Sequence, residues 1–247
     1  MYLYKFAGIP VEIKNPNDLF LKKSRDYALP EGSSEKPEFS IEVTEDDLEY
    51  EKDHVKRNGY YARKEQYFNA IYRLFCEKAI YQDRMLCHGS VVEKNGRAFM
   101  FSAPSGTGKS THVRLWKEVF GDEVTIINDD KPILEFRDDG IYIWGTPWNG
   151  KHNISVNKCV KLEAVCFLFR GEKNQIRTAN AERAMTPLFM QTYRPRDKEG
   201  MIRTMDLMDR LLKEIPMYFL SCNISREAVY VAEAKMNPDT NKRGGVR

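Results

Sequence analysis

The sequence predicts an α/β protein with a mixed β-sheet and a small β-rich lobe at its N-terminus. Residues 98–120 read as an apolar strand, a glycine-rich loop and an amphipathic helix. Two pairs of apolar runs are joined by Asn95-Gly96 and Asp139-Gly140, dipeptides that are typical of tight hairpin turns. Helical apolar stripes then alternate with apolar strands towards the C-terminus. Together these patterns favour a mixed sheet with helices packed against it.

Residues 1–62 form the predicted N-terminal lobe. Tyr4–Ile13 and Phe39–Val43 alternate apolar and polar residues with the period of a half-buried strand. Residues 44–55 carry too many charges for a core, which predicts a solvated edge or linker. An exposed strand edge of this lobe could hold an extended peptide, or the lobe could simply cover one side of the core.

Residues 63–236 are predicted to form the main domain, and residues 237–247 a disordered tail that is poor in apolar residues. The predicted elements of the main domain are a helix at Phe68–Ala79, strands at Leu86–Val92 and Ala98–Ser102, a helix ending at Phe120, strands at Val124–Asn128, Ile133–Phe136, Ile141–Trp144 and Leu162–Phe169, helices at Ala181–Tyr193 and Met201–Glu214, a strand at Met217–Ser221 and a helix at Arg226–Met236.

Composition narrows the class of protein. The 39 basic and 36 acidic residues leave a formal charge of +3, which gives no reason to expect a nucleic-acid partner. No apolar run approaches the roughly 18 residues of a membrane span, and the first residues lack the pattern of a secretion signal. We therefore expect a cytoplasmic protein with no membrane partner. Its five cysteines have no metal-ligand spacing and predict buried, reduced thiols.

Residues 103–110 carry the strongest functional signal. They read Ala-Pro-Ser-Gly-Thr-Gly-Lys-Ser and match a phosphate-binding loop, with alanine in place of the first glycine. The glycines permit a curvature that aims backbone N–H groups at phosphate oxygens, and the next helix adds its positive N-terminal end. Lys109 can reach the β- and γ-phosphates, and the Ser110 hydroxyl can bind Mg²⁺. The predicted cofactors are ATP, with GTP left open, and Mg²⁺; the predicted nucleotide-binding residues are Ser105, Gly106, Thr107, Gly108, Lys109, Ser110 and Thr111.

Two carboxylates follow the apolar strand Val124–Asn128. Asp129 lies 20 residues beyond Lys109, and Asp130 comes next. Such a strand end lies beside the phosphate loop in nucleotide-binding sheets, so one carboxylate can hold Mg²⁺ while the other accepts a proton from the nucleophile. Neighbouring strand residues point in opposite directions, so both can serve one site only if the backbone turns here. A polar strand end without such a role is the simpler alternative.

Two more residues are candidates for the site. His88 lies on the strand before the loop, where it can orient a catalytic carboxylate or serve a purely structural role. Trp144–Lys151 contains two tryptophans, a proline and two glycines, which predicts a rigid, exposed turn. Lys151 at its end could contact a phosphate or an acidic substrate, or be a solvated loop lysine.

These residues resemble the HPr kinase/phosphoenolpyruvate carboxykinase superfamily. His88-Gly-Ser, the loop Ser105–Thr111 and Asn128-Asp-Asp occur in the same order and spacing, and Thr146–Lys151 resembles short HPr-kinase-like proteins. The resemblance covers about residues 85–236. It implies a twisted mixed β core with a phosphate-binding loop. It also implies that Asp129 and Asp130 supply base and metal functions, without deciding which does which, and that His88 supports them.

The resemblance implies a kinase that transfers the γ-phosphoryl group of ATP to a serine or threonine hydroxyl of a protein or peptide, or to free serine. The glycine-rich signature with which HPr kinases engage their protein substrate has no counterpart here, so we expect a peptide serine or free serine as acceptor. A carboxykinase-type phosphotransferase and a nucleotide-sensing module without catalysis remain as alternatives. The sequence leaves open whether the protein forms a homo-oligomer.

Overall fold

The computed structural model describes residues 2–55 and 62–237. Within these ranges the chain forms twelve β-strands and seven α-helices. The strands are β1 (Leu3–Phe6), β2 (Ile9–Lys14), β3 (Phe39–Glu42), β4 (Arg84–Leu86), β5 (Ser90–Lys94), β6 (Arg97–Ser102), β7 (Val124–Asn128), β8 (Ile133–Arg137), β9 (Gly140–Trp144), β10 (Cys159–Arg170), β11 (Gln175–Ala179) and β12 (Met217–Cys222). The helices are α1 (Asp18–Lys23), α2 (Glu45–Val55), α3 (Arg63–Ala79), α4 (Lys109–Phe120), α5 (Ala181–Gln191), α6 (Lys198–Glu214) and α7 (Arg226–Met236).

The large sheet is mixed, as the sequence predicts. Its strand order is β4-β8-β9-β10-β6-β5-β7, and β12 and β11 branch from β10. Along one edge β10 pairs in parallel with β6. Along the other edge β10 pairs first with β9, antiparallel, and then with β12, parallel. The long central strand therefore makes both parallel pairings of this sheet, and the strands beyond it pair antiparallel.

Helices cover both faces of β10. Val165 and Phe167 belong to a core shared with α5 and α6. Ala164, Cys166 and Leu168 belong to a second core shared with α4 and α7. Because both faces are buried, residues 164–169 of this strand read as one continuous apolar run, which is why the sequence identifies it so clearly.

The three-stranded sheet β1-β2-β3 packs on α3 through an aromatic core. The Phe6 ring lies 5.1 Å from Trp148 and 5.6 Å from Phe75, measured between ring centroids. Trp148 is 1% exposed, so the prediction that Trp144–Lys151 is an exposed turn is wrong. Trp148 instead packs from the predicted main domain into the aromatic core of the three-stranded sheet. This core contains residues from both sides of the predicted boundary at residue 62, and the division into two parts stays a prediction.

Within the charged segment 44–55, Glu45–Val55 is helix α2 rather than the predicted edge or linker, and most of its described side chains are solvated, as predicted. Asp47 and Glu51 lie one turn apart and both bind the Arg73 guanidinium of α3, at 2.7 and 2.8 Å. Arg73 is 4% exposed, so its charge needs these carboxylates. The helix therefore docks through buried ion pairs rather than an apolar stripe, a pattern that charge content alone does not reveal.

Other differences from the prediction are local. Tyr4–Ile13 is a hairpin of β1 and β2, since the chain reverses at Ala7 and Gly8, which have φ of 48° and 79°. Leu86–Val92 is interrupted, so His88 lies between β4 and β5 rather than on a strand. Helix α1 and strand β11 were not predicted. Asn237, which was predicted in the tail, is 3% exposed and bonded to α7; residues 238–247 lie outside the described part of the chain.

The cysteines are free thiols, as predicted. Cys76, Cys87 and Cys166 are buried, whereas Cys159 and Cys222 are only half-buried. In the part of the chain that the structure describes, no helix has the length and apolar character needed to cross a membrane.

Buried His112 of α4 predicts a pH-dependent stability. It accepts a hydrogen bond from Trp116 Nε1 at 3.1 Å, and burial lowers its pKa from 6.5 to about 4. The unfolded chain therefore binds this proton more tightly, and the unfolding free energy falls as the pH drops from about 6.5 to about 4. The expected loss is about 3 kcal/mol, at about 1.4 kcal/mol for each pKa unit. Urea unfolding at pH 7 and pH 4 measures it.

His112→Gln is the matched control, because its side-chain oxygen can still accept the Trp116 hydrogen bond while carrying no titratable group. The variant should lose less stability than the wild type over the same pH interval. An identical loss in both proteins would show that His112 is not its source.

Candidate active site

A cavity of about 870 Å³ gathers the predicted site residues. It lies between the glycine loop, defined as residues 103–110, and helices α1, α2 and α3. Thr107 does not line it, although the sequence predicts that it does. The predicted residues that do line it are His88, Ser105, Gly106, Gly108, Lys109, Ser110, Thr111, Asp129, Asp130 and Lys151.

The glycine loop connects the end of β6 to the start of α4. Gly106 has φ of 79° and Gly108 has φ of 121°, a region in which side chains with a Cβ are strained. The Arg170 guanidinium, at the end of β10, donates to the Gly106 carbonyl at 2.5 Å. The loop is thus shaped by its glycines and tied to the central strand, with the N-terminus of α4 at the cavity wall.

Lys109 is a buried cation at the base of the loop. It is 7% exposed, and its Nζ donates to the Ala103 carbonyl at 2.7 Å and to the Pro104 carbonyl at a longer 3.4 Å. Burial lowers the pKa of Lys109, while the charges of Asp130 and Asp129 raise it. The ammonium group therefore lies within the electric field of both carboxylates, with the loop carbonyls as its direct partners.

The backbone turns immediately after β7, as the sequence requires if both aspartates are to serve one site. Buried Asn128 produces this turn: its Oδ1 accepts from the backbone N–H groups of Asp130 and Lys131, at 2.9 and 2.8 Å. Its Nδ2 donates to the Thr146 carbonyl and hydroxyl at 3.0 and 3.1 Å. An asparagine that bonds the backbone two residues ahead is a common turn device, so its position before the two aspartates was a readable signal.

The two aspartates have different surroundings. Asp129 is 4% exposed; its Oδ1 accepts from the Ser90 hydroxyl at 2.8 Å, and among the described residues its buried Oδ2 has no hydrogen-bond partner. Asp130 faces the cavity, with Oδ1 2.6 Å from His88 Nε2 and Oδ2 3.4 Å from Lys131 Nζ. Burial raises the pKa of Asp130, but the His88 hydrogen bond and the Lys131 charge outweigh it and lower the pKa to about 2. Asp130 is therefore ionised at neutral pH.

Strand pairing brings His88 to Asp130. Antiparallel β5 and β7 pair with Val91 opposite Asn128, so the chain before β5 runs beside the chain after β7. The Gly89 N–H donates to the Asp130 carbonyl at 2.9 Å and fixes this register. The histidine and the aspartate are 42 residues apart in sequence, and only the sheet places them in contact.

The segment 148–152 closes the cavity over Asp130. Gly150 has φ of 67°, and a Cβ added there would meet the Asp130 Cβ at 3.0 Å. Glycine therefore allows this segment to lie against the carboxylate, and Lys151 follows as a lining residue.

The oxygen donors in the cavity fit a hard divalent cation. Asp129 Oδ2 is a buried carboxylate oxygen without a partner among the described residues, and Ser110 and Asp130 line the same cavity. The described part of the chain holds no cluster of three His, Cys, Asp or Glu residues that could bind a metal ion. Mg²⁺ usually takes only one or two carboxylates and completes its shell with phosphate oxygens and water. This donor set suits Mg²⁺ held together with a phosphorylated ligand.

Sequence reasoning missed much of the cavity wall. Lys131 and Arg114 had simple signals, since Lys131 follows Asp130 and Arg114 lies one helical turn after Ser110. The opposite wall depends on how the N-terminal helices pack, and no local pattern marks it. The lining residues from these helices are Leu19, Lys23, Glu51, Glu65, Phe68, Asn69 and Tyr72.

Comparisons with known proteins bear on the family. The model of the family described as SynChlorMet cassette protein ScmC matches residues 63–228, about two-thirds of the chain. The matched range contains the glycine loop, His88 and both aspartates. A search of curated proteins found no match.

Among solved structures, the HPr(Ser) kinase/phosphatase from Coxiella burnetii is similar, with a TM-score of 0.36 and 11% identity. The match covers 65% of this chain and 99% of that chain. A TM-score of this size does not show a shared fold.

Proposed function

This chain belongs to the ScmC family, and we propose that it is an ATP- and Mg²⁺-dependent kinase of the HPr-kinase-like superfamily that phosphorylates a hydroxyl group. One observation carries the proposal. A carboxylate paired with a histidine, Asp130 with His88 at 2.6 Å, faces the same cavity as a glycine loop that ends in a buried lysine, Lys109. Phosphoryl transfer needs these two parts side by side, a phosphate cradle and a group that handles the acceptor's proton.

The nucleotide occupies the glycine-loop side of the cavity. Its phosphates bind at the positively charged N-terminal end of α4 and pair with the Lys109 ammonium. Lys109 then donates to phosphate oxygens instead of to the loop carbonyls. Ser110 and Asp129 hold Mg²⁺, since Asp129 has the unpartnered oxygen. When bound, Mg²⁺ neutralises charge on the phosphate oxygens as the γ-phosphoryl group leaves.

The acceptor hydroxyl lies against Asp130. Its oxygen attacks the γ-phosphorus, the bond to the bridging oxygen of ADP breaks, and the hydroxyl proton passes to the Asp130–His88 pair. A carboxylate with a pKa of about 2 is a weak base, and the imidazole that donates to it at 2.6 Å orients it towards the hydroxyl. A loose transition state makes little demand on basicity before the phosphoryl group has moved. Positioning the hydroxyl is thus the larger task of the pair.

A nucleotide-sensing module would need the loop but not this pair. The paired Asp130 and His88 side chains are 22% and 32% exposed, which leaves them accessible from the cavity. A pair with only a structural role would not need to be accessible from the cavity. The arrangement therefore favours catalysis over sensing.

The test is transfer of label from γ-labelled ATP with Mg²⁺ to free serine, to serine peptides and to HPr. We expect Mg²⁺-dependent formation of phosphoserine in the small acceptors. ATP consumption that depends on oxaloacetate would instead identify a carboxykinase, and tight ATP binding without turnover would identify a sensor. Efficient labelling of HPr with the small acceptors inert would contradict the expected acceptor class.

A further inference from the structure

The cavity wall opposite the glycine loop presents two lysines side by side. Lys23 Nζ of α1 lies 5.1 Å from the centroid of the Phe68 ring, and Lys131 Nζ lies 4.9 Å from that of Tyr72. Phe68 and Tyr72 are four residues apart on α3, so their rings are neighbours about 6 Å apart along the helix axis. All four side chains line the cavity. The aromatic faces therefore hold two ammonium groups at adjacent positions.

The two lysines differ in their charge partners. Lys131 Nζ lies 3.4 Å from Asp130 Oδ2, the carboxylate that also binds His88. Lys23 has no ion pair within the described part of the chain. Burial lowers the pKa of Lys23, Glu65 raises it and the charge of Lys131 lowers it further. Glu51 and Glu65 also line this side of the cavity, and Lys23 supplies the ammonium group with which an entering anion would pair.

We propose that Lys23 and Lys131 bind a carboxylate that the acceptor carries close to its hydroxyl group. The inference rests on the proposed kinase function and names the substrate class of the same site. Because Lys131 touches Asp130, a carboxylate held by the lysine pair places a hydroxyl a few bonds away beside Asp130 and His88. The α-carboxylate of free serine and an acidic residue next to a peptide serine offer the same chemistry.

This wall is separate from the nucleotide's side of the cavity. The glycine loop and α4 supply the phosphate cradle, whereas Lys23 comes from α1 and is held by the aromatic face of α3. Helix α1 thus presents to the cavity a lysine that makes no ion pair among the residues that the structure describes. The N-terminal helices therefore recognise the acceptor.

Matched pairs of acceptors test the proposal. Serine is compared with serinamide, and an end-blocked Ala-Ser-Asp-Ala peptide with Ala-Ser-Asn-Ala. We expect the carboxylate member of at least one pair to be preferred by about 10- to 100-fold in kcat/KM, the range of one charge-assisted hydrogen bond. The pair that shows the preference tells a free amino acid from an acidic peptide.

Lys23→Met should remove this preference by lowering kcat/KM for the carboxylate member to that for the amide, and Lys23→Arg should keep much of it. Lys22→Met is the control, because Lys22 is an exposed lysine on the same helix that does not line the cavity. Equal use of both members by the wild type, or an unchanged preference in Lys23→Met, would overturn the lysine-pair subsite.

Calorimetric binding of the same acceptors, with a non-hydrolysable ATP analogue present, separates this inference from the kinase proposal. Failure to phosphorylate any acceptor would contradict the kinase. Preferred binding of the carboxylate members, lost in Lys23→Met, would still establish the subsite. Equal binding of both members would refute it whatever the activity.

Discussion

Replacing Lys109 by alanine is expected to lower kcat/KM for phosphoryl transfer by roughly 10²–10³-fold, the scale of removing one preorganised charge from a transition state. Lys109 is 7% exposed and its charge faces the cavity that holds both aspartates. The γ-phosphoryl oxygens carry negative charge that this ammonium would stabilise, and no other lysine belongs to the glycine loop. Calorimetry of ATP binding and the label-transfer assay measure the effect.

Folding must be checked in the same experiment, because the alanine variant leaves the Ala103 carbonyl without its partner. Lys117→Ala is the matched control: Lys117 lies two turns further along α4 and is 46% exposed. Thermal unfolding should show both variants folded, with only Lys109→Ala impaired in ATP use. Unchanged affinity together with unchanged turnover in Lys109→Ala would refute the assignment of the loop.

The main sheet was predictable because its signals are local. The hairpin turn at Asn95-Gly96 joins β5 to β6, and the continuous apolar run of β10 results from burial on both faces. Each signal lies within a few residues of the structure that it specifies. In the N-terminal segment the alternation of Phe39–Val43 marks β3 in the same local way. Helix α2 has no such signal, because it is fixed by ion pairs to Arg73, a residue of another helix.

The candidate site was predictable in its two motifs but not in their arrangement. The glycine loop and Asp129-Asp130 are contiguous and can be recognised by residue type. The contact between His88 and Asp130 arises from the register of β5 with β7, and the position of Lys23 in the cavity wall arises from the packing of α1 on α3. Both depend on pairings between distant parts of the chain, which sequence spacing does not encode.

Replacing Asp129 or Asp130 by asparagine should impair a different property of the protein in each case. Asp130→Asn removes the carboxylate that receives the hydroxyl proton, and we expect kcat to fall by roughly 10²–10⁴-fold, the range of general-base catalysis, with ATP affinity retained. Asp129→Asn keeps an oxygen for the Ser90 hydrogen bond but removes the charge behind the unpartnered Oδ2. It should therefore raise the Mg²⁺ concentration needed for ATP binding.

Titrating Mg²⁺ at fixed ATP, and measuring kcat at saturating Mg²⁺, separates the two phenotypes. Asp122→Asn is a suitable control, since this carboxylate is fully exposed just after the end of α4 and does not line the cavity. Full activity in both Asp129→Asn and Asp130→Asn would eliminate the proposed mechanism. Exchanged phenotypes would instead reverse the roles of the two carboxylates.

The His88→Ala variant tests whether His88 and Asp130 act together. If Asp130 and His88 handle the proton as one unit, His88→Ala should depress kcat, and the double variant should lose little more than Asp130→Asn alone. If the histidine only fills space beside the carboxylate, the two losses should add. The 2.6 Å contact and the lowered pKa of Asp130 favour coupling. A carbon-13 NMR titration should then show the pKa of Asp130 rising in His88→Ala, because burial remains while the hydrogen bond that opposes it is gone.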